Sequence, residues 1–329
     1  MYKDKNILVA GGTGMVGIQL VNLLIEQGAN IRIASLDHHS RAHPKAEFIQ
    51  RDMTVMQNCL DACDGMDYVF NLLGVKGSPA VSTSKPASFF FPTISFSLNL
   101  MEAAFRMRVQ KYLYTSSIGV YAKSEIFHED DVWKTYPSDN DRFPGWAKRI
   151  CELQAETYAI QHGWDQVVIV RPANVYGPYD NFDSENAMVV PSLIRKAASG
   201  MNPMEVWGDG SAIRDLIHAR DVARGMLIAF ENGMGGVFNL GSGKGVTIKE
   251  LVEAVVNCMD EPPQIAWDVT KPVGDPKKIM DMTRARSIGF EPKITIQDGI
   301  RETVQWYQQN KDTTDLRYDI FKEANGSGA

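Results

Sequence analysis

Residues Ala10-Gly11-Gly12-Thr13-Gly14-Met15-Val16-Gly17 constrain this chain more than any others. A short apolar run, Ile7-Leu8-Val9-Ala10, leads into them, and an amphipathic stretch, Gln19 to Gln27, follows. Strand, glycine turn and helix are complete within the first thirty residues. Residues without a Cβ permit a tight turn and let a pyrophosphate approach the main chain. The helix that follows aims its free N–H groups and the positive end of its dipole at the phosphates. The flanking strand and helix distinguish such a site from an ordinary glycine loop. A dinucleotide cradle formed by Gly11, Thr13, Gly14, Met15, Val16 and Gly17 is expected.

Strand-like runs recur at Asn30–Ser35, Glu47–Ile49, Tyr68–Leu72, Lys111–Thr115 and Gln166–Arg171, with helical patterns at Thr54–Ala62, Ile94–Met107 and Gly145–Gln161. This alternation predicts βαβ units and a doubly wound parallel sheet in an α/β fold. Beyond Arg171, prolines 172, 178, 191 and 203 divide the chain into shorter pieces. Thr247 and Glu250 form a capping box ahead of Leu251–Met259, and Ile296–Gln308 is a further amphipathic run. The organisation expected is a dinucleotide-binding domain over 1–173, with a return segment near 215–242. A smaller substrate-binding lobe follows over 174–310, then a frayed polar tail over 311–329.

The net charge of −6 over 329 residues, with no basic block, gives nucleic-acid binding no support. Cys59 and Cys63 share a helix face, but Cys151 and Cys258 do not complete a metal set, so no metal is expected. Buried free thiols in a reducing cytoplasm are the reading that follows. No apolar run approaches the ~20 residues needed to span a bilayer, and nothing resembles a signal peptide.

The spacing of Gly11, Gly14 and Gly17 is G-x-x-G-x-x-G, which resembles the short-chain dehydrogenase/reductase superfamily in its extended, NAD-dependent epimerase/dehydratase branch. The resemblance implies a Rossmann-type fold, NAD or NADP as cofactor and a nucleotide sugar as substrate. The end of the second strand then faces the adenosine ribose. Ser35 stands there, with Asp37, His38, His39 and Arg41 close behind. Ser35 with a nearby cation suits a 2′-phosphate. Asp37 on a longer strand suits the 2′-hydroxyl of NAD, or merely starts a turn. The balance leans to NADP. Asp52 resembles the superfamily's adenine-contacting aspartate and reads equally as a helix N-cap. Leu72, ending the fourth strand, is a further implied cofactor contact.

The run Tyr114-Thr115-Ser116-Ser117-Ile118-Gly119-Val120-Tyr121 resembles the branch's S-S-x-x-V-Y element, which implies that Ser117 is the active-site hydroxyl. Phe143-Pro144-Gly145-Trp146-Ala147-Lys148 resembles Y-G-W-A-K with Pro144 in place of tyrosine. Lys148 keeps the position whose family role includes holding the nicotinamide ribose. Proline has no titratable proton, so Tyr121, Tyr179, Asp141 or a substrate-bound water is left to carry it. Thr93 takes a position that is usually asparagine.

Arg171-Pro172-Ala173-Asn174-Val175-Tyr176-Gly177-Pro178 resembles the branch's R-P-x-N-x-Y-G-P element, which implies that Asn174 contacts the sugar or its phosphates. Val206-Trp207-Gly208-Asp209-Gly210, followed by Ile213-Arg214-Asp215-Leu216-Ile217-His218, resembles the segment whose arginine binds the diphosphate. A planar guanidinium suits that task, so Arg214 is the expected phosphate ligand. Strings at 178–182, 185–195 and 271–278 are similar to GDP-L-fucose synthases and add Val189, Trp207 and Lys278 to the implied substrate site. Fucose synthases epimerise with a cysteine and a histidine. Gly119 and Met188 stand at those positions, so that mechanism is not expected. An epimerase, a 4-keto reductase or a dehydratase remains, and so does a silent binding protein. The resemblance also implies a homodimer, through Ile94–Met107 and Gly145–Gln161.

Overall fold

The computed structural model describes residues 1–75, 77, 79–183, 186–271, 274–311 and 316–323. The chain begins with β1 (Asn6–Ala10), α1 (Met15–Glu26), β2 (Asn30–Ser35), β3 (Glu47–Gln50), α2 (Met56–Cys63) and β4 (Tyr68–Asn71). Next come α3 (Pro79–Ser84), α4 (Pro86–Arg106), β5 (Lys111–Thr115), β6 (Ile126–Phe127), α5 (Arg142–His162) and β7 (Val167–Pro172). The following stretch carries β8 (Asn174–Tyr176), α6 (Val189–Ala198), β9 (Met204–Trp207), β10 (Ile213–His218), α7 (Ala219–Asn232), β11 (Val237–Leu240) and β12 (Gly245–Thr247). The chain closes with α8 (Ile248–Val256), β13 (Ile265–Asp268), β14 (Lys277–Met280), α9 (Thr283–Ser287), α10 (Ile296–Asn310) and α11 (Ile320–Glu323).

Seven strands form a parallel sheet in the order β3-β2-β1-β4-β5-β7-β11. Its central strands are buried on both faces, which is why they read as near-continuous apolar runs. One face packs against α1 and α7, and the other against α2, α4 and α5. This is the doubly wound Rossmann-type fold. Strand order reverses between β1 and β4, where an open parallel sheet leaves its ligand crevice.

A second sheet runs β12-β10-β14-β6, with β8 beside β10, and β9 pairs with β13. Helices α6, α8 and α10 share a separate apolar core with these strands. Within 215–242, α7 packs on α1 and β11 pairs with β7, whereas β10 belongs to the second sheet.

Helix α4 begins eight residues before the expected Ile94. Pro92 lies inside it and forfeits one backbone hydrogen bond. The tail also departs from expectation. Leu316 to Phe321 fold back onto the protein, with the Leu316 carbonyl accepting from the His38 amide at 3.2 Å. Phe321 is buried against Phe89, ring centroids 5.1 Å apart. Residues 312–315 and 324–329 of that tail lie outside the described residues. Among the described residues no helix is long and apolar enough to cross a membrane, and no group of three His, Cys, Asp or Glu side chains is placed to hold a metal.

Candidate active site

The glycine turn joins β1 to α1 at the point of reversal. Gly11 has φ +82°, and a Cβ there would lie 3.0 Å from the Leu72 carbonyl carbon and oxygen. A Cβ on Gly17 would meet Gly11 O at 2.2 Å, so the helix can pack this closely on the turn only without one. Gly14 has more room, its nearest contact being Gly11 O at 3.3 Å. The N–H groups of Met15, Val16 and Gly17 have no carbonyl ahead of them in α1 and are free for an anion. Thr13 is buried and donates from Oγ1 to Ser35 Oγ at 2.7 Å.

Ser35 and Asp37 lie where β2 ends. Ser35 Oγ also accepts from the Asp37 amide at 3.1 Å, so this hydroxyl braces the turn. Asp37 is buried and both of its oxygens are engaged. Oδ1 accepts from the Tyr318 amide at 2.8 Å and Oδ2 lies 3.5 Å from Arg41 Nε. Arg41 reaches back to donate from Nη2 to Thr13 O at 3.2 Å. Asp52 Oδ1 accepts from the Thr54 amide at 2.8 Å, a local turn just ahead of α2.

On the other side of the crevice, Lys148 Nζ donates to Thr115 O at 2.8 Å and Leu73 O at 3.2 Å. These bonds tie α5 to the carboxyl ends of β4 and β5. Burial pushes its ammonium down to about 8. Ser117 follows β5, and its Oγ accepts from the Gly119 amide at 3.0 Å. Thr93 is buried on α4.

Pro144 sits in the first turn of α5, where its missing N–H costs nothing. It lies four residues before Lys148 and three after Asp141, so these three positions share one helix face. Asp141 stands at the N-terminus of α5 against Gly119: a Cβ on that glycine would lie 3.5 Å from Asp141 Oδ1. Met188 immediately precedes α6.

Tyr121, weighed as a proton carrier, is turned into the core instead. It is 3% exposed and donates to Asn239 Oδ1 at 2.5 Å. Arg171 Nη1 lies 3.1 Å from the same hydroxyl and is itself held by buried Glu152, with Nε–Oε1 at 3.0 Å and Nη2–Oε2 at 2.6 Å. Burial drives the Tyr121 phenol above its ordinary range, opposite to what proton shuttling needs. Tyr179 also faces elsewhere. Its ring lies 4.9 Å from Trp306, and its carbonyl accepts from Arg317.

The parallel register of β10 and β14 sets Arg214 beside Lys278. Arg214 Nη1 donates to Ile213 O at 2.8 Å and Asp275 O at 2.7 Å, while Lys278 Nζ lies 2.9 Å from Asp275 Oδ2. Lys278 also lies 3.9 Å from Asp141 Oδ2, which connects this cationic patch to Gly119 and the Ser117 turn. Lys123, absent from the sequence reading, joins with Nζ 3.5 Å from Asp275 Oδ1. Asn174 donates from Nδ2 to Asp215 O at 3.0 Å. Val189 begins α6 and is partly exposed. Trp207 is largely exposed, with Lys271 Nζ 5.5 Å above its ring. Cys59, Cys63 and Cys151 are buried, Cys258 is partly so, and all four are free thiols.

Arg317, which lies near Arg41 and bonds the Tyr179 carbonyl, falls in the segment expected to be a frayed tail. The available signal was the apolar cluster Leu316, Tyr318, Ile320 and Phe321 among polar neighbours.

Comparison with known proteins agrees with this architecture. The model of the NAD dependent epimerase/dehydratase family matches residues 7–241. GDP-L-fucose synthase 1 from Arabidopsis thaliana is 32% identical over 320 residues, 94% of each chain. A dTDP-4-dehydro-6-deoxy-D-allose reductase from a Streptomyces species is 27% identical over 323 residues, 94% of this chain and 98% of the other. Among solved structures, UDP-glucose 4-epimerase from Thermotoga maritima, determined with UDP-glucose, superposes with a TM-score of 0.78 at 28% identity, covering 93% of this chain and 100% of that one.

Proposed function

This chain belongs to the NAD dependent epimerase/dehydratase family, and on that footing we propose that it modifies the sugar of a nucleoside diphosphate sugar, GDP-linked, with NADP as hydride carrier. The reaction is an epimerisation, a 4-keto reduction or a dehydration. The observation that carries this reading is the unbroken path from Arg214 through Asp275, Lys278 and Asp141 to the Ser117 turn. A diphosphate held by Arg214 and Lys278 brings its sugar to Ser117. Relatives named as GDP-L-fucose synthases support the guanine base. For the cofactor, Asp37 is already engaged at both oxygens and Arg41 lies within reach of Thr13, which favours a 2′-phosphate over a 2′-hydroxyl.

The bound nicotinamide supplies or accepts the hydride. Lys148 holds its ribose. Ser117 donates a hydrogen bond to the reacting sugar oxygen. Asp141 takes the place of the missing tyrosine: it accepts the hydroxyl proton as the alcohol becomes a ketone and returns it in the reverse direction. In this proposal residues 1–173 with α7 and β11 hold the cofactor, and 174–310 mainly hold the sugar nucleotide. Helices α4 and α5 pair two copies into a dimer.

Pro144 favours one other reading, a protein that binds both ligands without turnover. Purified protein is incubated with NADP or NADPH and a panel of GDP-, UDP- and dTDP-sugars, and followed by nicotinamide absorbance, mass spectrometry and calorimetry. Turnover is expected with a GDP-sugar, and Asp141→Asn is expected to lower kcat by roughly 10²- to 10⁴-fold while the sugar nucleotide still binds. Binding of both ligands with no product selects the silent reading. Cofactor binding with no sugar-nucleotide binding removes the role given to Arg214.

A further inference from the structure

The segment Leu316–Phe321 crosses the crevice between the two halves of the parallel sheet. At one end it is fastened to the tip of β2. The Leu316 carbonyl accepts from the His38 amide at 3.2 Å, and the Tyr318 amide donates to Asp37 Oδ1 at 2.8 Å. At the other end Phe321 packs on Phe89 of α4, and Lys85 Nζ sits 5.6 Å above its ring. These anchors lie on opposite sides of the β1/β4 reversal. A dinucleotide bound in that crevice would pass between them.

The segment also brings in a charge. Arg317 donates to the Tyr179 carbonyl and lies beside Arg41. Arg41 is largely buried, its Nε makes no hydrogen bond of normal geometry, and among the described residues Asp37 is the acid paired with it. After burial itself, the nearness of Arg317 is the next influence lowering the Arg41 guanidinium. Among the described residues, two guanidinium groups thus gather around Asp37, where β2 ends. A ribose 2′-phosphate, with up to two negative charges and three acceptor oxygens, has the charge and geometry to bridge two such forks.

We propose that Arg317, carried across the crevice by the C-terminal segment, joins Arg41 to hold the 2′-phosphate of NADP, so that the segment is part of the cofactor site. This rests on the NADP reading above. Dissociation constants for NADPH and NADH are measured by nicotinamide fluorescence, without sugar nucleotide, on the full chain, Arg317→Gln, Arg41→Gln and a chain ending at Lys311. Thermal unfolding of each variant checks the fold. The full chain is expected to prefer NADPH. Arg317→Gln and the shortened chain are expected to bind NADPH roughly 10- to 100-fold more weakly, with NADH changed by no more than about twofold. If Arg41→Gln alone removes the preference, the cofactor reading stands and the role of Arg317 falls. If the full chain binds NADH as tightly as NADPH, the cofactor reading falls with it. Tighter binding of both cofactors by the shortened chain shows a segment that obstructs the crevice and overturns the proposal.

Discussion

Lys148 shows burial and charge in direct opposition. Its ammonium is nearly enclosed, which pushes it down to about 8, yet it donates to two carbonyls that end β4 and β5. Below that value the charged form dominates and can also serve a ribose hydroxyl. Above it the side chain loses a proton and its hydrogen bonds weaken. A hydrogen bond from a charged donor contributes about 1.5–3 kcal/mol. Cofactor affinity is therefore expected to fall by roughly tenfold or more as pH rises through about 8. In Lys148→Met the affinity is already low at pH 7 and the step is gone; a step persisting in that variant, read by fluorescence titration, would remove Lys148 from the site. At this scale the sequence was legible where a motif couples residue type to a steric need, as with Gly17, where a Cβ would meet Gly11 O at 2.2 Å. It was silent on Tyr121, because nothing in V-Y tells whether the ring faces the crevice or the buried Arg171–Glu152 pair.

At the scale of single elements, local chemistry explains the successes and the errors. The capping box ahead of α8 forms as its residues dictate: Glu250 N donates to Thr247 Oγ1 at 3.1 Å, and Thr247 N donates to Glu250 Oε2 at 2.7 Å. Thr247→Ala removes the hydroxyl acceptor and is expected to cost about 1 kcal/mol. Urea titration should show a lower midpoint with an unchanged slope; no change would mean that packing alone holds the helix end. Helix α4 starts at Pro86 rather than at the expected Ile94, against local chemistry. Pro92 is a strong local breaker, but packing of Phe89, Phe96 and Leu100 into the core outweighs its lost hydrogen bond.

For the whole molecule, the outer side of the α4–α5 layer leaves Phe91, Leu153 and Ile160 at 70%, 46% and 77% exposure. Leu153 and Ile160 are seven residues apart on α5 and share a face. If two copies pair through this layer, light scattering gives a dimer for the wild type and a monomer for Ile160→Glu; a monomeric wild type at tens of micromolar would end the proposed assembly. The glycine turn, the alternation of strands and helices and the family motifs are local patterns of steric need and apolar period, and the sequence carried them unaided. What it could not carry was proximity between distant residues. That Lys278 meets Arg214 follows from the register of two strands sixty-four positions apart in the chain. The closeness of Asp141 to Gly119 depends on how α5 packs. The path of 316–323 back to Asp37 spans nearly the whole chain. Such contacts are selected by the burial and hydrogen bonding of the finished fold, and no short window of residues contains them.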